Sequence, residues 1–176
     1  MNITIEYTAG KFTVEQRVGN HLLSRGFGTF DSNLYGGKGG LVLDFIEVLY
    51  IYFHKKHVSF VNYNFVSKEY FLEEFNLKIE QFMIYEDLIN RGFYVKQALK
   101  FGADFRIYDK HLINNTNKND ISHSTHLVFI CNSRKELLPQ ELFSINRVAH
   151  STKKKVILAF VDPENSISYL EQKRWN

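Results

Sequence analysis

Residues 123–131, HSTHLVFIC, decide how the second half of the chain folds. From Thr125 onward the run is rich in β-branched and aromatic residues and reads as a buried strand. Side chains alternate between the two faces of a strand, so the odd offset between His123 and His126 sends the imidazoles apart. On a strand they cannot jointly hold one metal ion, and one of the two needs a separate role.

The neighbouring segments supply the context. Downstream, PQELFSINRVAHSTKK predicts a helix opened by Pro139, with Leu142, Ile145 and Ala149 turned inward. KKVILAFVD is apolar on both faces and reads as a central strand, and SISYLEQK as another strand. Upstream, KIEQFMIYEDLINRG carries Ile79, Phe82, Met83 and Leu88 at helical spacing and stops at Gly92, which suits a left-handed C-terminal position. YVKQALKFGADFRIYDK reads as one strand, with Phe101, Ala103, Phe105 and Ile107 on one face and Asp104, Arg106 and Tyr108 on the other. A helix, two strands, a helix and two more strands predict a small mixed sheet flanked by helices. Tyr108 ends the polar face of its strand, and Lys154 stands where a helix meets the central strand. Residues 113–120, INNTNKND, are polar enough for an exposed loop.

The pattern changes near residue 75. Before it, EYTAGKFTVEQRVGNHLLSRGFGTF predicts a strand or hairpin and then a short helix ending at Gly26. LVLDFIEVLYIYFH reads as a helix with Leu43, Ile46 and Leu49/Tyr50 on one face, HVSFV as a strand, and Ser67 as the N-cap of a helix through KEYFLEEF. YGGKGG lacks the Gly-Lys-Ser/Thr ending and the preceding strand of a phosphate-binding loop, and reads as a turn. The domains expected are residues 1–75 and 76–176.

Composition narrows the setting. The chain has 176 residues, 44% of them hydrophobic, which is enough for a packed core. A net charge of +3 is compatible with nucleic acid without requiring it. Cys131 is the sole cysteine, so no intrachain disulfide or cysteine-rich zinc knuckle is possible, and a reducing, cytoplasmic setting is expected. The sequence opens on no signal peptide, and no apolar run is long enough to span a bilayer, so no membrane partner is expected.

YEDLINRGFYVKQALKFGADFRIY, HSTHLV and RVAHSTKKKVILAFVDPENSISY, in this order, resemble the archaeal tRNA splicing endonuclease family. GFG and LDFIEVLYIY in the first half are similar to that family's amino-terminal domain. The resemblance implies an α+β N-terminal domain, a nuclease-like C-terminal α/β domain with a mixed central sheet, and metal-independent cleavage of precursor tRNA at bulge-helix-bulge exon–intron junctions. No cofactor is implied. The family's tyrosine, histidine and lysine triad falls on Tyr108, His123 and Lys154, with Lys153 and Lys155 as alternative registers and His126 outside the pattern.

RNA brings its own nucleophile, the 2′-hydroxyl. The protein needs to remove a proton, supply one to the leaving 5′-oxygen and stabilise the charged phosphate. His123 suits the general acid, Lys154 a fixed positive charge, and Tyr108 the base. A phenol with a pKa of about 10 is seldom ionised at neutral pH, so a relay role for Tyr108 or a base role for His123 stays open. The resemblance also implies that Arg147 and Trp175 grip a flipped bulge base, and that Asp162 and Glu164 belong to a subunit-docking loop. In that loop Asn165-Ser166 replace the family's usual Gly-Asp ending, which tilts the expected assembly from a homotetramer towards a heterotetramer with a structural subunit. A noncatalytic subunit of such an assembly, or an RNA-binding module that does not cut, are the competing readings.

Overall fold

The computed structural model describes residues 2–109, 124–132 and 136–172. The chain forms two compact units, Met1–Phe82 and Met83–Asn176, each built on a five-stranded sheet. Among the described residues no helix is long and apolar enough to cross a membrane.

In the first unit β1 (Ile3–Thr8) and β2 (Lys11–Glu15) form an antiparallel hairpin. Its tip uses two left-handed residues, Ala9 and Gly10, the backbone twist that favours a tight two-residue connection. Helix α1 (Gln16–Leu23), β3 (Thr29–Asp31), β4 (Gly40–Leu43), α2 (Phe45–His54), β5 (Val58–Val61) and α3 (Lys68–Glu74) follow. The strand order is β3-β4-β2-β1-β5, with β5 parallel to β1. Phe12, Val14, Leu41, Ile46, Leu49 and Phe71 are buried in the core. Ser67 caps α3 as expected, its Oγ accepting the Tyr70 amide at 3.1 Å.

The apolar stretch from Leu41 is not one helix. Leu41–Leu43 pair with Phe12–Val14 as β4, and the helix starts only at Phe45. Glu47 is the reason for the break. Its carboxylate turns back to accept the Asp44 amide at 2.9 Å and the Gly28 amide at 3.0 Å on each oxygen, so it both starts α2 and ties down the turn before β3. It is 1% exposed, and those amides replace its lost hydration.

The second unit contains most of α4 (Ile79–Asn90), then β6 (Phe93–Gln97), β7 (Phe105–Asp109), β8 (His126–Asn132), α5 (Pro139–Thr152), β9 (Lys155–Val161) and β10 (Ile167–Gln172). The order is β10-β9-β8-β7-β6, antiparallel throughout except for the parallel pair β8–β9. The mixed sheet is as the sequence predicts. The single strand expected over 94–110 is instead a hairpin. A 3₁₀ turn at Leu99–Phe101 and left-handed Gly102 reverse the chain, and Ala98 N–H donates to Asp104 O at 3.1 Å. Phe101 and Ala103 therefore precede β7 rather than sharing its face.

Along β7 itself the alternation holds. Phe105 packs against Tyr85 of α4, ring centroids 5.8 Å apart, and Ile107 is buried beside it in register, while Arg106 and Tyr108 face the other way. On that second face α5 covers Leu127, Phe129, Val156 and Leu158.

Gly28 (φ +66°) leaves no room for a side chain: an added Cβ would lie 2.3 Å from Leu41 Cγ and 2.8 Å from Val42 O. Gly28→Ala should cost about 2–4 kcal/mol through left-handed strain and overpacking. Faster hydrogen exchange at the Val14 and Leu41 amides would register the loss, and unchanged protection there would contradict this packing.

Candidate active site

The parallel pairing of β8 and β9 brings the starts of both strands to one end of the sheet, and antiparallel β7 ends there too. Thr125 donates from N–H and Oγ1 to Ile107 O, at 3.0 and 3.3 Å, and its own carbonyl accepts the Lys155 amide at 3.1 Å. Tyr108 is thereby set level with Thr125, next to Ser124 and the first residues of β9. Lys154 closes the arrangement: its Nζ donates to Ser124 O at 2.9 Å. Sequence-predicted Tyr108 and Lys154 thus belong to one corner, and Ser124 follows His123 directly in the chain. His123 itself lies outside the described residues, as does Trp175.

The end of α5 settles which lysine points inward. Lys153 takes a left-handed conformation (φ 53°), with Lys153 N–H to His150 O and Lys154 N–H to Ala149 O, the pairing that commonly closes a helix. The chain turns so that Lys154 is half-buried, whereas Lys153 and Lys155 are exposed. Lys155 pairs with Glu171 at 3.5 Å. His126 is paired in register with Ile107, which places it on the α4 side, away from Tyr108, and its Nδ1 lies 2.8 Å from Thr125 Oγ1.

The electrostatics are positive. Partial burial, and then repulsion from Arg106, hold the Lys154 ammonium below the usual lysine pKa. The Arg106 guanidinium lies 5.8 Å from the Tyr108 ring centroid. Two polar groups here are shielded from solvent and have no hydrogen-bond partner among the described residues: Arg106 Nε and Ser124 Oγ. Sequence reasoning gave Arg106 no role, although its two-residue offset from Tyr108 already put both on one face. Among the described residues no group of three or more His, Cys, Asp or Glu side chains could hold a metal ion.

The other predicted residues lie elsewhere. Arg147 is on the outer face of α5, in an open pocket of about 520 Å³ shared with Phe143, Asn146, His150 and Ser151. Phe143, four residues before Arg147, is 70% exposed and was not singled out from the sequence. Asp162 and Glu164 occupy the β9–β10 turn. Asp162 Oδ1 accepts the Glu164 and Ser166 amides at 2.8 Å each, so its carboxylate is engaged in the turn, while Glu164 is exposed. Asn165 takes the left-handed position (φ 64°) that a glycine would fill with least strain.

The sequence model described as tRNA intron endonuclease, catalytic C-terminal domain, matches residues 79–169. A tRNA-splicing endonuclease of Pyrococcus abyssi is 35% identical over 97 residues, covering 55% of this chain and 50% of that protein. One from Saccharolobus solfataricus is 37% identical over 128 residues, covering 69% of this chain and 66% of that protein. The chain spans about half the length of the Pyrococcus relatives it matches.

The Lys154 environment makes a measurable prediction. Arg106→Gln removes the repelling charge, so the Lys154 pKa should rise. An NMR pH titration of the Lys154 side-chain signals reads this, and an unmoved midpoint would mean that the two cations do not sense each other.

Proposed function

Since the chain belongs to the tRNA intron endonuclease family, we propose that it is an endoribonuclease that cuts precursor tRNA at bulge-helix-bulge exon–intron junctions. The observation that supports this most is the corner just described, where Tyr108 and Lys154 meet the segment that follows His123. In this reading residues 76–176 form the catalytic domain.

The reaction asks little covalent chemistry of the protein. The RNA 2′-hydroxyl attacks the adjacent phosphorus, and the bond to the 5′-oxygen breaks. Tyr108 takes or relays the 2′-proton, with His123 as the alternative base. His123 in its acid role protonates the departing 5′-oxygen, a type of assistance that contributes typically about 10²–10⁴-fold. Lys154 stabilises the charge that develops on the phosphate. Its position suits that role, since one ammonium proton is held by Ser124 O, which fixes the side chain, and two donors remain for an incoming anion.

Arg147 and Trp175 clasp an extruded bulge base in this proposal, and stacking of that kind contributes about 1–3 kcal/mol per base. Two bulges on one RNA call for two sites at a fixed separation, which a symmetric assembly provides. Asp162 and Glu164 form the docking turn, and a heterotetramer is favoured slightly over a homotetramer. The competing noncatalytic reading is disfavoured because Tyr108, His123 and Lys154 are all present.

Cleavage of a bulge-helix-bulge RNA in excess chelator tests the reading, with candidate partner subunits added in parallel. The expected products carry a 2′,3′-cyclic phosphate and a 5′-hydroxyl. A 5′-phosphate end, or activity that returns only with added Mg²⁺, would contradict the mechanism, and binding without cutting would favour the noncatalytic reading.

A further inference from the structure

Arg106 has the features of an unfilled anion ligand. It shares the non-α4 face of β7 with Tyr108, and its guanidinium carbon is 5.8 Å from that ring. Its Nε is buried from solvent with no hydrogen-bond partner among the described residues, an arrangement that a folded chain seldom keeps unless something arrives to satisfy it. Lys154 approaches the same corner from β9, close enough for mutual repulsion to lower its pKa. No carboxylate among the described residues pairs with Arg106 or Lys154. Like charges gathered in a half-buried corner are stabilised by an anion between them.

We propose that Arg106 and Lys154 together form the seat of a phosphodiester, with Arg106 as a phosphate-binding residue that also holds the Tyr108 ring against the substrate. This rests on the endonuclease reading for its ligand and deepens it. The two cations divide the work by shape. The guanidinium offers a planar fork whose donors match two phosphate oxygens at once, whereas the lysine acts as a point charge. A fork next to Tyr108 fixes the phosphate relative to the phenol, which a lone lysine on the far side of β8 cannot do. Ser124 Oγ, also buried and without a hydrogen-bond partner among the described residues, lies at the same end and can donate to a bound oxygen.

Nitrogen-15 NMR of the arginine Nε–H signals in the full chain, titrated with inorganic phosphate at constant ionic strength, tests the seat directly. The Arg106 signal, identified by its loss in Arg106→Lys, should shift saturably, and Lys154→Met should weaken that binding at least ten-fold. In parallel, single-turnover cleavage of saturating bulge-helix-bulge RNA should be roughly 10–100-fold slower in Arg106→Lys, which keeps the charge and loses the fork. A phosphate-dependent shift in a chain that cleaves no RNA would uphold the seat while the endonuclease reading fails. If the chain cleaves, but phosphate leaves the Arg106 signal unmoved and Arg106→Lys cuts at the normal rate, the proposal is overturned. A slow Arg106→Lys whose wild-type signal ignores phosphate overturns it equally, because Arg106 would then only support the Tyr108 ring.

Discussion

Everything in the second unit depends on one parallel pairing, that of β8 with β9. An antiparallel neighbour would have put the start of β9 at the opposite end of the sheet from the start of β8. The return through α5 makes the pair parallel, so Ser124 and Lys154 come to the same edge, and the Lys154 Nζ to Ser124 O contact at 2.9 Å follows from that topology. Strand β7 runs the other way and contributes its last residues, including Tyr108. Three segments far apart in sequence therefore meet at one corner, gathered by the hydrogen-bond register of the sheet.

That corner is uneven in charge. Arg106 and Lys154 bring positive groups to it, the described residues supply no pairing carboxylate, and burial together with that repulsion holds down the pKa of Lys154. Elsewhere Arg91 pairs with Asp87 at 2.6 Å and Lys155 with Glu171 at 3.5 Å. The buried carboxylate of Glu47 shows how completely the fold satisfies a charge when its purpose is structural: its oxygens receive the backbone amides of Gly28 and Asp44. Glu47 is thus a charge matched by backbone amides, whereas Arg106 Nε is left unmatched by the described residues.

Much of this was legible in the sequence. The strand at THLVFIC, the helix opened by Pro139, the Ser67 cap and the Gly92 stop all follow from local chemistry, and each occurs where its residues predict. The two misreadings have physical causes. Leu41–Leu43 run directly into Phe45 with no polar break other than Asp44, and a short apolar run does not tell strand from helix until its pairing partner, here Phe12–Val14, is known. The hairpin at Leu99–Gly102 was hidden because LKFG carries apolar residues at strand spacing, and only the left-handed Gly102 reveals the reversal. Tyr108 and Lys154 are proposed as site residues through family motifs rather than through their surroundings. Arg106 was visible as a face-mate of Tyr108, but its unpartnered Nε is a property of packing that no sequence pattern reports.

The central claim is that Tyr108 and Lys154 act as one unit because the sheet holds them at a single corner. A double-mutant cycle on single-turnover cleavage, with Tyr108→Phe, Lys154→Met and the pair combined, measures that directly. Groups that serve the same transition state lose less together than the sum of their separate losses, so the combined variant should be only slightly slower than the worse single variant. Fully additive losses would mean that the two residues act independently, and would contradict the account.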